Sequence, residues 1–368
     1  MSTNSFASIH VQLTRGLIAS GDQVNGMVML CVFNAYQAQG VSVRIRGVER
    51  AKVVQVIQRS APQGQPRPAP EYHDKMEEAV ICDQSVNVFQ SQGGMILPGQ
   101  YAFPFSFSTG ANWPSTFSHD YREHGRDCYG KIDYTVTATI AGGAGSAPTF
   151  STPIILNDTL PADQINGAMK DTTTEVTHCC CFGKGKVLLR SHFEKSQYSI
   201  GETATYFTEI DNSQCTSDIV NIHATFRQLL IITAQGTSET ISKDIQSFNS
   251  GKIPAGEARK GPQAVMSKVP IQSQDGTPLP ATANTGRLIK NSYTINSIMS
   301  MDATQCCDQP PQTSMAIQVI SPDVAPQPWA QMPPNWNPQQ MPPTNFQVQL
   351  DQQYANQTFT PSPMMAQR

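Results

Sequence analysis

Residues 132–140 read Ile-Asp-Tyr-Thr-Val-Thr-Ala-Thr-Ile, and this strict alternation is the tightest constraint in the sequence. Ile132, Tyr134, Val136, Ala138 and Ile140 project to one side of an extended strand, and Asp133, Thr135, Thr137 and Thr139 to the other. Successive side chains on a strand point to opposite faces, so such a strand has one buried and one wetted side. Gly142, Gly143 and Gly145 then supply a turn, and 151–156 reads as the returning strand. The same period recurs at Val41, Val43, Ile45 and Gly47 against Ser42, Arg44 and Arg46. Apolar spacing of 3.6 residues persists nowhere for three turns, and the best helical candidate, 74–80, is short. With 25 glycines and 27 prolines among 368 residues, the chain reads as all-β.

That length fits two domains better than one. An internal echo shows where they lie. Ser20-Gly21-Asp22 precedes a strand at 24–33, and Ile200-Gly201-Glu202 precedes one at 203–210. Each follows an alternating run, 9–13 and 186–193, and each leads to a further strand, 41–48 and 219–228. The two copies stand 180 residues apart. The reading is therefore two tandem immunoglobulin-like β-sandwiches at 1–160 and 185–322, joined by a linker at 161–184. Pro62, Pro66, Pro68 and Pro70 make 60–70 an exposed loop. From 323 to 368 the composition turns to Pro, Gln, Asn and Met with almost no charge, which predicts a disordered tail.

A net charge of −3 and a pI near 6.2 offer no broad basic surface, so nucleic acid is not an expected partner. No run of about 18 apolar residues exists to span a bilayer. The first residues lack the basic and apolar regions of a signal peptide, and a soluble, cytoplasmic protein is expected. Nine cysteines, an odd number and partly adjacent, are unlike a secreted disulfide framework and are expected to be reduced.

The run Leu97-Pro98-Gly99-Gln100-Tyr101-Ala102-Phe103-Pro104-Phe105-Ser106-Phe107 is followed by Pro114-Ser115-Thr116-Phe117 and then by the strand carrying Tyr134. These resemble the LPxGxYxFPFxF, PxSF and Y-x-V-x-A signatures of the arrestin clan, particularly the alpha-arrestins or arrestin-domain-containing proteins. Physical reading agrees: Phe103, Phe105 and Phe107 alternate to one face of a sandwich core, while Pro104 belongs on an edge or at a bulge. The second half is similar to the family's C-terminal domain through Tyr198-Ser199-Ile200-Gly201-Glu202 and Ile210-Asp211-Asn212-Ser213, with Ile200 where the family has proline. The resemblance spans roughly residues 6–322.

No Gly-x-Ser-x-Gly elbow is present, so acyl-transfer chemistry is not expected, and the chain reads as a non-enzyme. Phe182-Gly183-Lys184-Gly185-Lys186 lacks the spacing of a phosphate-cradling loop and reads as a flexible lead-in to a strand. His119, Asp120, Glu123, His124 and Asp127 are of metal-ligating type but are read as a solvated loop. Cys179, Cys180, Cys181, Cys306 and Cys307 form the other candidate cluster. Reduced thiols, a thiolate zinc site and palmitoylation at a membrane are its three readings; no other cofactor is implied.

The resemblance implies a cytosolic adaptor or scaffold. It would link membrane-protein cargo or receptors to endocytic, trafficking or ubiquitin-ligase machinery, and would be recruited to the plasma membrane or endosomes. Pro333, Pro334 and Trp336, with Pro342, Pro343 and Phe346, are similar to the Pro-Pro-x-Tyr motifs by which alpha-arrestins recruit WW-domain ligases, though both lack the tyrosine. No residue-by-residue match is found for the charged cluster by which receptor-binding arrestins sense phosphate. The alternative reading is a retromer-like coat subunit sharing the two-sandwich architecture.

Overall fold

The structure is a computed structural model that describes residues 6–58, 69–123, 126–142, 148–158, 170–178, 182–302, 310–330, 332–333 and 335–341. The first unit runs through β1 (Ala7–Leu13), β2 (Leu17–Ala19), β3 (Gln23–Val32), β4 (Tyr36–Gln37), β5 (Gly40–Ile57), β6 (Glu71–Gln90), β7 (Met95–Ile96), β8 (Gly99–Ser108), β9 (Phe117–Glu123), β10 (Arg126–Ala141) and β11 (Thr149–Asn157). One sheet has the order β1-β3-β8; the facing sheet has the order β2-β11-β10-β5-β6, with β9 beside β10. Phe103, Phe105 and Phe107 from the first sheet and Ile132, Tyr134, Val136 and Ile140 from the second are buried in one core between them.

The second unit runs through β12 (Lys170–His178), β13 (Phe182–Phe193), β14 (Gln197–Ser199), β15 (Thr203–Cys215), β16 (Ile219–Ala234), β17 (Thr237–Asn249), β18 (Ala258–Arg259), β19 (Val265–Pro270), β20 (Ile289–Met301) and β21 (Gln312–Ile320). Its sheets have the orders β12-β13-β15-β18, with β19 beside β15, and β14-β21-β20-β16-β17. Both units close in the same way. A three-residue strand, β2 or β14, pairs in parallel with the unit's last strand, β11 or β21. The chain then turns through a left-handed glycine, Gly21 at φ 92° or Gly201 at φ 84°, into β3 or β15. Matching bonds of 3.0 Å, from the Asp22 amide to the Ala19 carbonyl and from the Glu202 amide to the Ser199 carbonyl, hold the two turns. The echo seen in the sequence is thus a repeated three-dimensional unit.

Four elements depart from the sequence reading. Residues 74–80 are not helical but lie inside β6, paired along β5 from Glu71 to Gln90; long-range pairing overrides a weak local preference. Within 161–184, β12 is a strand of the second sandwich, with Val176 fully buried, so this stretch is not wholly linker. Phe182–Lys186, read as a flexible lead-in, already belongs to β13. His119, Asp120 and Asp127 sit on the β9–β10 hairpin, where Asp120 faces Tyr129, rather than in a loop.

The two units share apolar contact. Leu230, Ile232, Leu288 and Ile289 of the second unit complete the core of the first. Gly130 on β10 gives them room, since a Cβ there would lie 3.3 Å from Ile289 and 3.4 Å from Ile232.

Candidate partner-docking site

Alternation along β1 decides what its two faces meet. Ile9, Val11 and Leu13 enter the core, so Ser8, His10 and Gln12 face outward. On β8 the three phenylalanines face inward, which turns Ala102, Pro104 and Ser106 outward. An outward face of a sandwich is ordinarily wetted, yet here His10 is 2% exposed, Ala102 1% and Cys31 on β3 6%. A segment of the chain's own tail lies against this face at His10 and Ala102.

The chain leaves β21 at Ser321, which Asn157 grips at both backbone groups: the Ser321 amide donates to Asn157 Oδ1 at 3.0 Å, and Asn157 Nδ2 donates to the Ser321 carbonyl at 3.2 Å. It then passes so close to Gly16 that a Cβ there would lie 2.1 Å from the Val324 carbonyl oxygen. Trp329 reaches the outer side of β1 and stacks on His10, with ring centroids 5.5 Å apart and planes 1° from parallel. Phe150 on β11 closes the other side at 4.4 Å. Trp336 packs edge-on against Trp329 at 4.9 Å. Gln339 and Gln340 then form β22 (Gln339–Gln340), which adds in parallel to β8 opposite Tyr101 and Ala102. The Asn337 amide donates to Gln100 Oε1 at 2.7 Å and the Met341 amide to the Ala102 carbonyl at 3.1 Å. Beyond Ala102, β8 pairs with β3 alone among the described residues, so Pro104 lies on an edge and its missing N–H breaks no ladder there.

We call residues 322–341 the strap. The sequence predicted no fixed structure from 323 onward; this proximal part has one because Trp329 and Met341 supply apolar anchors that local periodicity does not reveal. Burial of one such aromatic contributes on the order of 2 kcal/mol. Residues 342–368, and with them Pro342, Pro343 and Phe346, lie outside the described residues, as does Pro334. Trp336, predicted to meet a ligase, is turned onto Trp329.

The strap's other notable contact is electrostatic. His10 is held below its ordinary titration range by burial, opposed by hydrogen bonds to the Gln12 side chain and the Gln327 backbone. Its Nε2 is buried without a hydrogen-bond partner.

Two buried carboxylates of the first unit fasten the loop that enters β20. Glu49 on β5 accepts the Arg287 amide at 2.9 Å and the Leu288 amide at 2.6 Å. Asp158, just after β11, accepts the Asn284 amide at 2.9 Å and the Thr285 hydroxyl at 3.3 Å. Burial raises both, Asp158 to about 6. Ser115 positions Asp158, its hydroxyl accepting the Asp158 amide at 2.7 Å, while the Pro114 carbonyl accepts the buried Tyr134 hydroxyl at 2.7 Å. The Pro114-Ser115-Thr116-Phe117 signature therefore serves the junction between the units. In the second unit Glu202 caps its turn by accepting the Ser199 amide at 3.0 Å, and Asn212 donates to the Ser217 carbonyl at 3.0 Å. Tyr101 closes the Leu97-Pro98-Gly99 turn by donating to the Leu97 carbonyl at 3.0 Å.

Among the described residues no group of three or more His, Cys, Asp or Glu side chains is placed to hold a metal ion. Asp127 pairs with Lys52 at 2.9 Å, and His119 lies between the rings of Phe117 and Tyr121. His124 and the side chain of Glu123 are outside the described residues, as are Cys179, Cys180, Cys181, Cys306 and Cys307. The remaining thiols, Cys31, Cys82, Cys128 and Cys215, are buried, and burial pushes Cys82 up to about 12. No described helix is long and apolar enough to cross a membrane.

Two tandem sandwiches with parallel closing strands and a clamped junction define the arrestin fold. The family model described as "Arrestin (or S-antigen), N-terminal domain" matches residues 8–155, and the corresponding C-terminal domain matches 183–324. The chain belongs to the arrestin family. It is 25% identical over 210 residues to "Arrestin domain-containing protein A" of Dictyostelium discoideum, an alignment covering 56% of this chain and 34% of that protein. The chain thus matches about a third of that relative's length.

Proposed function

We propose that this chain is a non-enzymatic adaptor whose outer β1-β3-β8 face docks a segment of a membrane protein, with the strap as the resident cover. The observation that carries this reading is the burial of His10, Cys31 and Ala102 on what is otherwise the outside of a sandwich. A sheet with an open edge and an outer face kept from water is suited to an extended segment, because strand addition supplies backbone bonds and alternate side chains supply specificity. Family membership supports an adaptor that joins cargo to trafficking or ubiquitination machinery in the cytoplasm. Residues beyond 341 would then be the arm that recruits such machinery, tethered to the docked cargo.

The test is proximity labelling in cells by the full chain and by its Trp329→Ala variant, which loses the strap's main anchor. Greater labelling of membrane proteins by the variant is expected. Equal or lower labelling contradicts the strap's role as a cover.

A further inference from the structure

We propose that the strap is a proton-sensitive latch: His10, clamped neutral between Trp329 and Phe150, holds residues 322–341 on the outer face, and protonation of its ring releases them. The inference rests on the reading of that face as a docking site and adds the signal that opens it.

The geometry favours the neutral ring. His10 is 2% exposed, with Trp329 parallel to it at 5.5 Å and Phe150 tilted against it at 4.4 Å. The neutral imidazole has one N–H and one acceptor nitrogen; the protonated ring has two N–H donors. Nε2 has no hydrogen-bond partner. A second proton there would create a buried, unsatisfied donor carrying charge, the costliest kind of buried polar group.

Among the described residues no carboxylate acts on the ring to offset that cost. Around the ring stand Ser8 and Gln12 on β1, Met29 opposite it on β3, Phe150 on β11, and Gln327 and Trp329 on the strap. None is charged, and the forces on its titration are burial and two hydrogen bonds. Cation–π attraction from Trp329 would favour the charged ring by about 0.5–2 kcal/mol, but the unpartnered donor at Nε2 opposes it.

The sign follows. With the strap away, the ring meets water and titrates near its ordinary value of about 6.5. With the strap docked, it titrates lower. The docked state therefore binds fewer protons, so docking is at full strength above about pH 7 and weakens as pH falls below about 6.5. The limiting slope is about tenfold in the docking equilibrium per pH unit, reached between the two titration points. A mild fall in cytoplasmic pH lies on the upper part of this range.

The test is hydrogen exchange on the full chain between pH 7.5 and 5.5, expressed as protection after correction for the intrinsic pH dependence of exchange. The reporters are the Asn337 and Met341 amides, which bond to Gln100 and Ala102, with β10 core amides as the reference for global opening. Constant strap protection above pH 7 is expected, then a fall of up to about tenfold per unit below 6.5. His10→Phe, which keeps the stack and cannot titrate, should give a flat profile. Strap protection that stays flat to pH 5.5 in the wild type, or that falls equally in His10→Phe, overturns the proposal. His10→Gln provides a second non-titrating comparison if the phenylalanine variant does not fold. No partner enters this measurement, so the latch and the adaptor reading fail separately: unchanged cellular labelling by Trp329→Ala refutes the cover, while a flat exchange profile refutes the latch.

Discussion

A carboxylate removed from water is costly, and Asp158 and Glu49 offset that cost with amide donors from the loop at 284–288 rather than with a facing cation. The Arg287 guanidinium goes instead to Glu77, at 3.0 Å. Desolvation prevails at Asp158 and holds it near 6, against 3.8 for an ordinary aspartate. The folded state thus binds this proton more tightly than the unfolded chain does. The contribution of Asp158 to stability is complete below about pH 4 and is lost as pH rises through about 6. At about 1.4 kcal/mol per unit the loss is bounded near 3 kcal/mol. Asp158→Asn removes this titration and retains an acceptor for the Asn284 amide. Denaturant melts at pH 5 and pH 8 should show the wild type losing about 1.4 kcal/mol relative to Asp158→Asn, since only the last unit of the titration lies in that range. A constant gap between the two proteins would contradict it.

At the scale of elements, the strands with one wet and one dry face were legible in the sequence. β10 and β8 announce themselves because a buried side chain recurs every second residue: Ile132 through Ile140, and Phe103 through Phe107. The paired closing turns were legible too, through Gly21 and Gly201. β6 was not, because an edge strand with only four of its 20 residues buried carries polar residues at positions that a helix would tolerate equally. The strap was hidden for another reason. Its hold comes from Trp329 meeting His10 more than 300 residues away in sequence and from a two-residue strand, and neither has a local period. One signal was present: two tryptophans in a tail with almost no charge. Gly16 gave no hint either, since its need to lack a Cβ arises only when Val324 lies across it. Gly16→Ala should therefore act on the strap, displacing its first residues at a site where φ is not left-handed. Limited proteolysis should cleave the 322–341 region faster in this variant, with the fragment ending near Ser321 remaining intact. Unchanged cleavage would mean that the close approach does not constrain the strap.

At the scale of the molecule, the junction and the strap connect parts far apart in sequence and respond to protons in opposite senses. Acid relieves the desolvation cost of the buried Asp158 at the junction and weakens the His10 latch, so the two responses separate on substitution of either residue. The junction is also apolar, with Leu288 and Ile289 buried in the first unit's core, which suits a rigid two-sandwich body carrying one exchangeable segment. Function in this account resides in the exchange of that segment, and family membership was legible from the Leu97–Phe107 run well before the exchangeable part was. The five cysteines at 179–181 and 306–307 were equally visible as a pattern, yet spacing alone does not distinguish thiol, zinc and acyl chemistry. The most direct measurement is hydrogen exchange at the Met341 amide of the full chain at pH 7.5, alone and with a native membrane fraction. Loss of protection at Met341 on adding membranes, with β10 unchanged, is the result predicted for a cover displaced by cargo. Protection that stays the same with membranes bound would contradict it.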